Sequence, residues 1–183
     1  TGLIFEASRW ALTQAIADAR RLESAGHQVP RIAVNVSALD LRDKDFVSQV
    51  VAAVGADGSF LEIEITESIV MDNIDASVQA LRALRDVGIT VAIDDFGTGY
   101  SSLAQLRSLP FDQIKIDRSF VMDIDHDGRA AKLLAHMVQL CAALGMSTVA
   151  EGVETEAQVE LLRSLNCDLA QGFYFSHPQP PDV

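Results

Sequence analysis

Short β-branched runs alternate along this chain with longer amphipathic stretches. The runs are "RIAVNVS" from Arg31, "LEIEIT" from Leu61, "TVAIDDF" from Thr90, "QIKID" from Gln113, "STVAEGV" from Ser147 and "LAQGFYF" from Leu169. Runs of this length and composition read as strands. Between them, apolar residues recur at helical spacing. "ALTQAIADARRLESAG" stops at Gly26, a helix-ending glycine. "FVSQVVAAVG" is followed by "DASVQALRALRDVG", with Asp75 as its expected N-cap and Gly88 at its stop. "SSLAQLRSL", "AAKLLAHMVQLCAALG" and "ETEAQVELLRSLN" are further helices.

Strands separated by helices imply parallel βαβ units. Either an open doubly wound sheet or a (β/α) barrel would satisfy that pattern. Asn35, Glu64, Asp94, Lys115, Glu151 and Gln171 come one from each run, toward its C-terminal half. An open sheet draws its ligand crevice mainly from the strands at one switch point, whereas a barrel points every strand end into one mouth. The expected fold is therefore α/β, a (β/α)8-type, TIM-like barrel with about six strands in this chain. No GxGxxG or GxxxxGK[ST] loop argues for a nucleotide-binding sheet. A closed barrel of this type has eight strands in roughly 250 residues. The chain opens on a helix and lacks a starting Met, so it reads as a piece of a longer protein whose missing strands are N-terminal.

Composition is that of an ordinary globular domain: 183 residues, 49% hydrophobic and 22% charged. No apolar run approaches the roughly 18 to 20 residues that span a membrane, and the N-terminus is not a signal peptide. Cys141 and Cys167 lie in no CxxC pair and read as reduced thiols of a cytoplasmic domain. The net charge of −12 argues against binding to DNA, RNA or an anionic membrane. It leaves room for an anionic substrate if metal ions reverse the local sign.

The candidate chemistry lies at the strand ends. In "EIEITES", Glu62, Glu64 and Thr66 share one face, and Ile63 and Ile65 the other. An inward glutamate needs a partner, and a metal is the simplest. Asp94 is expected to end its strand pointing inward. Asp95 then begins a loop whose backbone turns the second carboxylate toward the same site. Adjacent carboxylates repel unless cations lie between them. The competing reading of the pair is a solvated turn with Asp95 as an Asx-type cap. Lys115 and Asp117 share a face in "KID"; the lysine is either a buried ion-pair partner or a group that orients water and stabilises a phosphoryl oxygen. Glu151 ends its strand, and Glu154 lies beyond it as a candidate helix cap. Gln171 adjoins Gly172, where a ligand could approach the backbone. The donors are Asp, Glu and Asn oxygens without histidine, which suits Mg²⁺ or Mn²⁺. Two such ions, a lysine and a spare carboxylate are the parts for attack of water on a phosphodiester.

"NVS", "EIEITES", "DDFGTGYSSL", "IKID", "AEGVET" and "QGFYFSHPQP" resemble, in order and spacing, the EAL domain family of bacterial cyclic di-GMP phosphodiesterases. The resemblance runs the length of the chain, so residues 1–183 are taken as one such domain, incomplete at its N-terminus. It implies a (β/α)8-type barrel that hydrolyses cyclic di-GMP to linear 5′-pGpG with two Mg²⁺ or Mn²⁺ ions. By resemblance, Asn35, Glu64 and Asp94 bind the first metal, Asp94 bridges, and Asp95 holds the second. Glu151 reaches the second metal or its water, Lys115 positions that water, and Gln171 contacts the water shell or the substrate. Glu67 holds the "DFGTGYSS" loop, which includes Gly97 and Thr98 and couples the site to a homodimer. The same resemblance implies fusion to sensory or cyclase domains, a cytoplasmic location even if the parent is membrane-anchored, and no direct membrane contact.

One departure stands out. The Glu-Ala-Leu signature of the family, whose Glu is a metal ligand, is absent, as is a nearby substrate-binding arginine. "FEAS", with Glu6 and Ala7, belongs to the helix downstream of where the signature lies. Either the signature lies in an omitted upstream segment or the domain is naturally truncated; since every other site residue is intact, omission is the expectation. The alternative function is a catalytically inactive cyclic di-GMP receptor; a third is an unrelated barrel acting on sugar phosphates.

Overall fold

A computed structural model describes residues 2–29, 31–67, 69, 74–98 and 106–179. Among these, helices α1 (Gly2–Ser24), α2 (Ala38–Arg42), α3 (Phe46–Val54), α4 (Ile74–Arg85), α5 (Gly128–Ala143) and α6 (Glu156–Ser164) alternate with strands β1 (Ile32–Asn35), β2 (Leu61–Thr66), β3 (Thr90–Phe96), β4 (Gln113–Ile116), β5 (Ser147–Ala150) and β6 (Leu169–Ala170). The strands are hydrogen-bonded in sequence order, β1 to β6. The registers β1–β2, β4–β5 and β5–β6 are parallel. All six expected strands are present, although "LAQGFYF" contributes only two residues. Helix α4 begins at Ile74, so Asp75 lies inside it and is not its cap. The helix expected over "SSLAQLRSL" falls largely outside the described residues.

The chain divides into two compact units. The first holds α1 to α4, β1, β2 and the start of β3. Its core is apolar: Leu61, Ile63 and Ile65 of β2, Val91 and Ala92 of β3, and Leu81 and Leu84 of α4 are fully buried. Both faces of β2 are covered, as parallel strands require. Asp112, just ahead of β4, accepts the backbone N–H of Val91 at 3.0 Å and pairs with Arg85 at 2.7 Å.

The second unit holds the end of β3, strands β4 to β6, and helices α5 and α6. Its core includes Ile114, Ile116, Leu134, Val121, Cys141 and Ala150. The same device recurs here one strand pair later. Asp168, just ahead of β6, accepts the N–H and the hydroxyl of Thr148 on β5, each at 2.8 Å. A carboxylate at a strand entrance thus satisfies a donor at the start of the neighbouring strand. Helix α5 starts at the N-cap Asp127, which accepts the Arg129 N–H at 2.8 Å. Helix α6 starts at Thr155 in a capping box with Gln158. Cys141 and Cys167 are free thiols, and burial pushes that of Cys141 up to about 12. No helix among the described residues is long and apolar enough to cross a membrane.

Candidate active site

In the first unit, parallel register sets Asn35 of β1 beside Glu64 of β2. The Asn35 amide donates to Glu64 Oε2 at 3.1 Å. Glu64 is 5% exposed, so this carboxylate is taken out of water and held by a neutral donor. Glu62, on the same face of β2, is instead faced by the Arg31 guanidinium at 3.3 Å. Glu67, just past β2, is also buried.

In the second unit, Asp94 and Asp95 both lie within the assigned strand, which runs on to Phe96. Successive residues of a strand point to opposite faces. Asp95 escapes that rule because its φ is +53°, a left-handed conformation that Asp tolerates better than most residues. Thr98 holds this turn: its N–H and hydroxyl both donate to the Asp95 carbonyl, at 3.3 and 2.9 Å. Gly97, between them, lies against the Phe120 ring. Gly99 to Ser102 of the "DFGTGYSS" loop lie outside the described residues.

Strand β4 presents Lys115, 5% exposed, to two carboxylates. Its Nζ lies 3.1 Å from Asp94 Oδ1 and 2.7 Å from Glu151 Oε1. The Asp94 contact is an ion pair without hydrogen-bond alignment, and that buried oxygen has no hydrogen-bond partner. Backbone bonds carry the pattern past the strand ends. Glu151 N–H donates to Ile116 at 3.1 Å, Gln171 N–H to Ala150 at 2.8 Å, and Val153 N–H to Gln171 at 3.0 Å. Glu151 and Gln171 thus stand just beyond β5 and β6.

Asp94, Asp95 and Glu151 each bring one carboxylate oxygen within 4.8 Å of the others. The titration of Asp95 responds to burial and to neighbouring charge. Its carboxyl is raised above the ordinary value, first by burial, then by the charges of Asp94 and Asp117, with Lys115 opposing. Asp117 is lowered, chiefly because Ser119 donates its hydroxyl at 2.5 Å and its N–H at 3.0 Å. Three hard oxygen donors, one with an unfilled hydrogen-bonding capacity, fit a divalent cation. The cluster could hold a metal ion.

A cavity of about 380 Å³ opens beside it, lined by Asp95, Glu151 and Gln171 together with Asp117, Arg118, Met122 and Phe173, among others. Arg118, Met122 and Phe173 were not singled out by sequence. Arg118 follows a strand-end aspartate, which is a weak signal; Met122 and Phe173 are over half exposed and read as ordinary surface. Glu154 lines the cavity and does not cap α6, a role that Thr155 takes. Gly172 also lines this cavity. A Cβ there would collide with the backbone N and O of Val153, whose carbonyl accepts the Tyr174 N–H at 3.0 Å. The close approach is made by the chain itself.

The family model that matches this chain is that of the EAL domain, over residues 1–178. The chain belongs to the EAL domain family. It is 44% identical, over 98% of its length, to 23% of the cyclic di-GMP phosphodiesterase NbdA of Pseudomonas aeruginosa. Among solved structures it is similar to the MucR phosphodiesterase of Pseudomonas aeruginosa in complex with cyclic di-GMP: TM-score 0.91, 42% identity, all of this chain and 75% of that one. The EAL domain of Mycobacterium smegmatis DcpA gives a TM-score of 0.89 at 38% identity, over 97% of this chain and 81% of that one. The expected α/β fold of the TIM-like barrel type is the fold of these EAL structures. The chain spans about a quarter of the length of the curated relatives it matches.

Proposed function

We propose that residues 1–183 form an EAL-type domain that hydrolyses cyclic di-GMP to linear 5′-pGpG, with two Mg²⁺ or Mn²⁺ ions. The observation that carries this reading is the convergence of Asp94, Asp95 and Glu151 around Lys115 beside a cavity. The names of NbdA and MucR supply the substrate. When bound, the cations neutralise the phosphodiester and make water a stronger nucleophile at neutral pH. Asn35 and Glu64 in the first unit, and Asp94, Asp95 and Glu151 in the second, would supply the oxygen ligands for such ions. Glu151, whose backbone is hydrogen-bonded to β4, would accept the proton of the attacking water. Lys115 orients that water and stabilises negative charge on the phosphoryl oxygens. Gln171 orients substrate or solvent at the cavity wall. Glu67, with Gly97 and Thr98, is assigned to holding the "DFGTGYSS" loop, through which the domain forms a homodimer. The domain is further assigned to a larger cytoplasmic-facing signalling protein with sensory or cyclase modules, in keeping with the greater length of its relatives and the bifunctional naming of MucR.

Incubation of cyclic di-GMP with the protein and Mg²⁺ or Mn²⁺, with chromatographic separation of products, tests the reading. It is run on this chain and, where the parent protein is longer, on that protein. Linear 5′-pGpG that vanishes in Asp94→Asn is the expected result. Binding without product in both versions would make the domain a receptor, and neither binding nor product would overturn the reading.

A further inference from the structure

Gln158 is 4% exposed, and every polar group of its side chain is used. Its Oε1 accepts the N–H of Glu154 at 2.8 Å and of Thr155 at 3.1 Å. Its Nε2 donates to the carbonyls of Val121 at 3.3 Å and Met122 at 3.1 Å. Two donors on one side and two acceptors on the other admit only one orientation of the amide. The capping half of this arrangement needs only an acceptor, and Glu serves as well as Gln in a capping box. The donating half needs the amide. It reaches the segment after β4, which supplies Asp117, Arg118 and Met122 to the cavity, from the segment after β5, which supplies Glu151, Gly152 and Glu154. Two further contacts join the same segments. The Thr155 hydroxyl donates to Asp125 Oδ2 at 3.2 Å. Gly152, with φ +69°, lies so close to Arg118 that a Cβ there would be 2.5 Å from Arg118 Cβ.

We propose that Gln158 is a positioning residue: its buried amide fastens the two walls of the cavity to each other and so sets the affinity for the ligand without touching it. The identity of that ligand rests on the phosphodiesterase reading. Gln158→Glu separates the two halves, since a carboxylate keeps the α6 cap and turns an acceptor toward the two carbonyls. Loss of a buried donor at two carbonyls should raise KM and the Kd for cyclic di-GMP by at least about tenfold. The affinity for Mn²⁺, read by electron paramagnetic resonance, should stay within about twofold, because Glu151 keeps its Lys115 and Ile116 partners. Amide hydrogen exchange should accelerate at least about tenfold in residues 117–126 and stay slow in 154–158.

Unchanged exchange in 117–126, or equal acceleration in both segments, would overturn the tie. Unchanged KM and Kd with accelerated exchange would overturn its role in affinity. If Gln158→Glu does not fold, Gln158→Met, which buries no charge, is read in the same way, with exchange rising in both segments and more in 117–126. A wild-type protein that neither binds nor hydrolyses cyclic di-GMP defeats the phosphodiesterase reading and with it the role in that affinity; exchange still decides the tie.

Discussion

In the first unit Glu62 faces Arg31, and Glu64 faces the neutral amide of Asn35. In the second, Asp94, Asp95 and Glu151 gather around Lys115. Both sets sit at strands, and both include buried groups, yet their charge balance differs. Burying a carboxylate is costly unless it is paired. Glu62 meets a cation and reads as structural. Three carboxylates lie around one lysine, and the Asp95 carboxyl is raised, first by burial and then by the charges of Asp94 and Asp117. Glu64 shares the burial of Glu62 and accepts from the Asn35 amide. The lesson is that burial alone does not mark a site; what the buried group faces does.

Substitution should separate Glu62 from the candidate ligands most strongly. Asp94→Asn, and likewise Glu64→Ala, should lower hydrolysis of cyclic di-GMP by about a hundredfold or more, as loss of preorganised charge does elsewhere. Glu62→Gln should leave turnover within about threefold. Comparable losses in all three variants would abolish the distinction drawn from partners.

Metal should stabilise the protein through the candidate ligands. At a Mn²⁺ concentration 100 times its Kd, the gain is about 2.7 kcal/mol per site, which for a chain of this size is several degrees in Tm. Asp95→Asn should reduce that shift, and Glu62→Gln should leave it unchanged. Differential scanning calorimetry with and without chelator reads both, and an identical shift in all variants would place the ion elsewhere.

A backbone test comes next in size. Gly172→Ala forces a Cβ into the Val153 peptide. The segments must part, at a cost of about 1–3 kcal/mol in the denaturant midpoint. Wild-type stability in this variant would show that the close packing there is slack.

The smallest effect is in pH. The folded pKa of Asp95 lies above its unfolded value, so metal-free stability rises as pH falls through the folded pKa, and the gain is complete below the ordinary value of 3.8. Asp117 acts oppositely. Its folded pKa is lowered, so its stabilisation is present above 3.8 and is lost as pH falls through the folded value. Urea midpoints in chelator, taken across the acid range, should flatten above 3.8 in Asp95→Asn. A wild-type profile with no such slope would overturn the raised titration of Asp95.

Much of this was legible in the chain. Period-two and helical apolar spacing located all six strands, because a half-buried strand or helix must place its apolar side chains at its own repeat. The motif residues Asn35, Glu64, Asp94, Asp95, Lys115, Glu151 and Gln171 could be picked out as polar positions at strand ends. Tertiary packing decided the rest. It distinguished Glu62 from Glu64 by their partners, which come from residues about thirty positions away. It held Asp95 at a positive φ that brings adjacent carboxylates together. It filled the space at Gly172 with Val153, and it joined Gln158 to Val121 and Met122 across 37 and 36 residues. Local pattern determines which side chains leave water; which charge or carbonyl each one meets is set only when distant segments pack.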